Sequence, residues 1–157
     1  MAGEKFYLMI VVDNNKGVMA RIATLLARKG YNINSVCVGK HLEGGEALIT
    51  LSIMGEESEV MNARDLLGKL VNVISIEMAR SGDVAERELC LVRLKSSKDM
   101  AKKLSGFNVK VLKENNGFAI VEVVDNPAVI EKFLEFAKKE IGILGISRSG
   151  SNAILVL

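Results

Sequence analysis

The chain lacks most of the parts from which catalytic and metal centres are built. Of its 157 residues one is His and two are Cys, there is no Trp and no Gln, and 21 Lys and Arg against 19 Asp and Glu leave a net charge of +2. One His and two Cys cannot furnish four N and S donors for a zinc site. A charge so close to balance argues against binding to a phosphate backbone. Aromatic residues at 4% leave few platforms on which RNA bases could stack. Cys37 and Cys90 form no C-x-x-C pair and fit a reducing, cytoplasmic setting. No stretch approaches the ~18 apolar residues of a membrane span. The run Phe6–Val12 has only Lys5 before it and ends at Asp13, so it does not read as a signal peptide. Neither a G-x-x-x-x-G-K-[ST] nor a G-x-S-x-G motif occurs.

What is present is material for a core. Hydrophobic residues make up 49% of the chain, and a chain of ~150 residues can bury about 70% of its unfolded surface. Residues 5–12 are apolar and β-rich and end in the turn-forming run Asp13 to Gly17. Val18, Ile22, Leu25, Leu26 and Lys29 then recur at a helical period, with Arg28 and Lys29 in the last turn and Gly30 to end it. Strands are predicted over 32–38 and 47–53, a helix over 58–70 and a strand over 71–79. The order is βαββαβ, and the second half repeats it. Strands are predicted over 88–95, 108–113, 118–124 and 141–147, and helices over 98–104 and from Asn126-Pro127 to about Lys139. Asn116-Gly117 marks a hairpin. The apolar tail 153–157 adds a further edge strand.

These elements predict an α+β chain of two ferredoxin-like domains in tandem, 1–80 and 81–157, each an antiparallel sheet with helices on one face. A domain of ~75 residues with a single helix layer is marginal alone. Its open sheet face and edges need covering, by dimerisation or by domain packing.

Few residues offer chemistry. His41 reads as a solvated loop residue beside Glu43 and Glu46, and the two cysteines read as small apolar strand residues. The strongest local feature is Asp13-Asn14-Asn15-Lys16-Gly17-Val18, where a strand meets a helix. One reading is a turn with an N-cap. The other is an anion site, because the first helical amides have no intrahelical partners and the helix N-terminus favours a carboxylate. Gly17 admits close approach to the backbone, and Asn14 both donates and accepts, which suits a zwitterion. Val18, Met19 and Ile33 are candidate walls for a small apolar side chain, with Asn32 a further polar group.

The run 12–39 closely resembles the first domain of the acetohydroxyacid (acetolactate) synthase small subunit, whose pattern is N-x-x-G-v-l-x-R-i followed by a helix ending R-r-G-Y-N-I-x-S-l-x-V. Asn14, Gly17, Arg21, Ile22, Arg28, Gly30, Tyr31, Asn32, Ile33, Ser35 and Val38 stand at those places. Glu86-Arg87-Glu88-Leu89 is similar to the family's segment opening the second domain, and Ser147-Arg148-Ser149-Gly150 to its a-R-[ST]-G near the end. The chain departs from the family at Asn15-Lys16, where many members have Glu-Ser or Glu-Ala, and at Gly39-Lys40, where Ala-Pro or Gly-Pro is frequent.

The resemblance implies an N-terminal ACT domain that dimerises edge to edge, an ACT-like C-terminal domain, and a regulatory, non-catalytic chain. It implies valine bound between two copies, with ligand residues carried over onto Asn14, Gly17 and Asn32 and, less directly, Val18, Met19 and Ile33. It implies a large catalytic subunit as partner, activated by this chain and carrying the thiamine diphosphate, Mg and FAD; no cofactor is expected on this chain. Valine, leucine and isoleucine differ by too little apolar surface to be separated here. A free-standing ACT-type amino-acid sensor is the alternative. A hydrolase of acylphosphatase type would need an Arg in the first loop, where this chain has Lys16.

Overall fold

The computed structural model describes residues 3–156. Its elements are β1 (Glu4–Asp13), α1 (Val18–Arg28), β2 (Ile33–Lys40), β3 (Glu46–Gly55), α2 (Glu57–Leu67), β4 (Val73–Arg80), β5 (Val84–Lys95), α3 (Met100–Leu104), β6 (Val109–Asn115), β7 (Phe118–Asp125), α4 (Pro127–Glu140) and β8 (Ile143–Leu155), with a 3-10 turn at Ser81–Asp83. They form two four-stranded sheets of the same order, β2-β3-β1-β4 and β6-β7-β5-β8. This is the tandem βαββαβ architecture expected from the sequence.

The chain divides into two compact units. One runs through Ala85 and takes in the chain again from Ser151 on; the other is Glu86–Gly150. The sequence-based division at residue 80 ran otherwise, and it left the end of the chain in the second domain. The difference arises from β8. Expected as a strand over 141–147 followed by a separate tail strand, it is one strand of 13 residues that begins in the second unit and ends in the first.

In the first unit, alternation sorts β1 into two faces. Phe6, Leu8, Ile10 and Val12 join Ile49, Leu51 and Ile53 of β3 beneath Val18, Ile22 and Leu26 of α1 and Val60, Ala63 and Leu67 of α2. Truncating one of the fully buried Leu or Ile to Ala typically costs about 2–5 kcal/mol. Helix α2 opens with a reciprocal capping box between Glu56 and Glu59. It ends at Leu67 rather than at 70 as expected, with Gly68 as its C-cap. Val71, expected in a strand, lies in the turn before β4 and is 96% exposed. The opposite sheet face is not left open. Tyr7 and Met9 pack with Ala79 and Val84, and Ala153 and Leu155 of the returning chain lie against them. The Val156 amide donates to the Asp83 carbonyl at 3.0 Å. The described part of the expected tail strand is the end of β8, and its Ala153 and Leu155 also cover this face; residue 157 lies outside the described residues.

In the second unit, Cys90, Val92 and Leu94 of β5 and Ala119, Val121 and Val123 of β7 pack under Ile130, Phe133 and Ala137 of α4 and Met100 and Leu104 of α3. Asn126 caps α4, its side chain accepting from the Ala128 amide, and Pro127 occupies the first turn.

Candidate functional site

The turn between β1 and α1 is exposed from Asn14 to Gly17, yet it is pinned at its base. The Asn14 amide donates to the Gly45 carbonyl at 2.7 Å and the Asp13 amide to the Asn72 carbonyl at 2.9 Å. From within α1, Arg21 Nη1 donates to Asn72 Oδ1 at 2.7 Å. Residue Gly17 is the N-cap, with φ of 86° and no side-chain cap on the helix. This left-handed conformation costs a residue with a Cβ about 1–2 kcal/mol. The N-cap is thus a bare glycine rather than one of the preceding Asp or Asn residues. The Val18 amide reaches the Asn15 carbonyl at 3.4 Å, longer than an ordinary N–H···O bond. The helix mouth therefore presents backbone amides that an anion can take without displacing a capping side chain.

Val18 belongs to the core, 5% exposed, so it offers the turn its amide and not its side chain. Met19 is half-buried against the core cluster, as is Ile33. Asn32 is exposed, just ahead of β2. Register places Asn14 and Asn32 apart within one chain. Asp13 pairs with Glu46 at one end of the sheet, whereas Ile33 pairs with Ile53, which lies opposite Phe6. Seven residue steps along β3 separate the two levels, about 24 Å at ~3.4 Å per residue. Strand β2 is an edge of its sheet, with Val36 and Val38 exposed on the helix side and Cys37 half-buried on the other.

His41 is not a solvated loop residue. It is half-buried, with Nδ1 2.9 Å from Glu46 Oε2, and this contact closes the hairpin between β2 and β3. No group of three or more His, Cys, Asp and Glu among the described residues is placed to hold a metal ion.

The second unit has no equivalent helix mouth. Its first helix, α3, has five residues. What it has instead is a polar clamp that sequence reasoning missed. Glu86 and Glu88 stand on the same side of β5 as Cys90, Val92 and Leu94, and are 7% and 4% exposed. Arg148 of β8 donates from Nε and Nη2 to the two carboxylate oxygens of Glu88 at 2.7 and 2.9 Å, and from Nη1 to Glu131 of α4. Ser149 Oγ accepts from the Leu89 amide at 3.1 Å. Asn126 Nδ2 donates to Glu86 Oε1 at 2.7 Å while its oxygen caps α4. The hydrogen bond to Glu88, helped by that to Glu131, raises the Arg148 guanidinium above its ordinary range against the opposing effect of burial. The two stretches singled out in the sequence, 86–89 and 147–150, thus meet in one network. Strict alternation along β5, which puts two Glu on an otherwise apolar face, was the signal that could have found it.

Residues 8–75 match the family model of the AHAS small subunit-like ACT domain, and residues 87–155 that of the small subunit of acetolactate synthase. The chain belongs to the acetolactate synthase small-subunit family. Among curated relatives, the chloroplastic acetolactate synthase small subunit 2 of Arabidopsis thaliana is 30% identical over 151 residues, covering 94% of this chain and 31% of that protein. The chain therefore spans about a third of that relative's length. The probable small subunit of Archaeoglobus fulgidus is 26% identical and covers 96% of both chains. The small subunit of Buchnera aphidicola is 24% identical over 91% of this chain and 92% of its own. The crystal structure of the small subunit from Thermotoga maritima superposes with a TM-score of 0.87 at 22% identity, covering 98% of each chain, which establishes the shared fold. No helix among the described residues is long and apolar enough to cross a membrane.

Proposed function

We propose that this chain is a non-catalytic regulatory subunit of acetolactate synthase, that it activates a large catalytic subunit, and that it makes that enzyme sensitive to valine. The observation that carries the ligand site is the uncapped mouth of α1 at Gly17, set beside an open sheet edge.

The site is completed by a second copy. Two β2 edges joined antiparallel extend the sheet with all helices on one side only if residues of like face oppose each other, so the pairing centres on Val36 or Cys37. The second copy's Asn32 then falls beside Lys40 or Leu42. Lys40 pairs with Ala47 and Ala47 with Val12, which is the end of the sheet that bears Asn14 and Gly17. The separation of about 24 Å within one chain thus becomes a juxtaposition between two. Valine's carboxylate sits on the amides at Gly17 and Val18, the latter exchanging its long bond to Asn15. Its ammonium meets oxygens of Asn14 and of Asn32 from the second copy. Met19 and the second copy's Ile33 flank the isopropyl group.

The large subunit supplies thiamine diphosphate, Mg and FAD and performs the carbon–carbon bond formation. This chain acts by binding valine with different affinity in the active and inhibited assemblies, a coupling typically worth 1–3 kcal/mol. Reconstitution with the cognate large subunit tests the reading. Acetolactate formation is expected to rise on adding this chain and to fall again with valine. An unchanged rate on addition would overturn the proposal, and valine binding without any association would leave a free-standing sensor.

A further inference from the structure

Arg21 and Arg28 are two of the residues by which the first unit resembles its family, yet neither contacts the proposed ligand and neither is buried. Three arginines of the chain are paired with carboxylates: Arg64 with Asp65, Arg80 with Glu57 and Glu4, and Arg148 with Glu88 and Glu131. Among the described residues Arg21 and Arg28 make no ion pair. Arg21 is held by a neutral acceptor, Asn72 Oδ1, at 2.7 Å. Helix α1 itself contains no acidic residue. The two guanidiniums stand seven residues apart on one face, about 10 Å along the axis at 1.5 Å per residue. Between them Ala20, Thr24 and Leu25, with Leu70 from beyond α2, line an open groove of about 350 Å³. Val71, which follows Leu70, is almost wholly exposed.

We propose that this groove docks an acidic segment of the large catalytic subunit, with an apolar side chain against Leu25 and Leu70 and carboxylates about 10 Å apart meeting Arg21 and Arg28. The proposal rests on the reading that this chain pairs with such a subunit. Charge selects the occupant. A second copy would set arginine against arginine, and like charges facing each other oppose association. Two arginines on a chain of net charge +2 supply too few phosphate contacts for nucleic acid. Arginine, weakly hydrated and forked, is the residue suited to carboxylates at an interface.

The test uses the full chain and its cognate large subunit. Thr24→Glu/Arg28→Glu puts two carboxylates in the groove and leaves the Arg21–Asn72 bond in place; Arg21→Glu/Arg28→Glu reverses both cations. Binding to the large subunit, followed by titration calorimetry, is expected to weaken at least about tenfold in each, with melting temperatures close to that of the parent. A second measurement needs no variant: the parent complex is expected to weaken as salt rises, since its contacts are charge pairs at a rim. Parent and variants binding the large subunit equally well would overturn the docking surface while leaving the regulatory reading intact. Parent chain that neither binds nor activates the large subunit overturns both. Variants that lose self-association and keep large-subunit binding would assign the groove to a second copy and overturn the proposal.

Discussion

The two units share strand order, helix placement and the alternation that builds their cores, but they differ at one junction. In the first, β1 hands over to an 11-residue helix through a left-handed glycine with no capping side chain. In the second, β5 hands over through Ser96–Asp99 to a helix of five residues, whose Met100 amide bonds back to Ser97. A short helix contributes a weak terminal field, and the second unit offers no comparable seat for an anion. It places its polar groups in the opposite corner, where Glu86 and Glu88 fasten β8 and the start of α4. Topology is therefore common property, and the two units differ in a few residues at a strand-to-helix turn, where the proposed ligand site lies.

The largest expected effect breaks the second unit. Arg148→Ala leaves Glu88 buried without its cation. Loss of one partner of a buried pair costs about 3–5 kcal/mol, and the 30% exposure of the Arg148 side chain brings the expectation to about 3 kcal/mol. Urea unfolding should register that loss in the second unit, with a smaller penalty for Glu88→Leu/Arg148→Leu, which removes both charges. Next in size is Gly17→Asp in the first unit. It adds backbone strain at φ of 86° and sets a carboxylate where the proposed ligand's own would lie. Calorimetry should show valine affinity falling about a hundredfold, or about 2.7 kcal/mol. Gly17→Ala carries the strain without the charge and should retain much of the binding; equal loss in both variants would assign the effect to the backbone.

Legibility followed the range of the interactions. The cap of α4 was readable because Asn126 and Pro127 act on their immediate neighbours, and so was the hairpin turn at Gly117, whose φ is 107°. The junction at Gly17 was readable as a turn leading into a helix but not as a bare glycine cap, since Asp13, Asn14 and Asn15 all have capping chemistry and only the bonds to Gly45 and Asn72 decide how they are used. The segment Ser147–Asn152 has the composition of a loop. It is strand because Arg148 and Ser149 are held by residues 60 positions away. The distance between Asn14 and Asn32 depends on register across three strands, which local pattern does not convey.

Removing residues 151–157 tests whether the first unit depends on chain that lies beyond the second. Ala153 and Leu155 cover Tyr7 and Met9, and uncovering apolar surface of that size is expected to cost the first unit about 2 kcal/mol. If the truncated chain lost stability in the second unit alone, the assignment of this segment to the first would fail.

The smallest effect separates the units through their thiols. Cys37 is half-buried on an edge strand and Cys90 is buried in the core of the second unit. Burial is the main cause that pushes the Cys90 thiol above its ordinary value of 9.0. At pH 8 a maleimide should modify Cys37 readily, more slowly if the proposed dimer covers β2, and reach Cys90 only when the second unit opens. The linkage has a definite sign. Below the ordinary thiol value both folded and unfolded chains keep the proton and nothing changes. Above it the unfolded chain ionises first, so the second unit loses stability as pH rises from about 9 toward the higher value of the folded thiol. Cys90→Ala lowers stability at every pH by leaving a small void, but it should remove this alkaline slope; a slope that persists in the variant would have to come from another group.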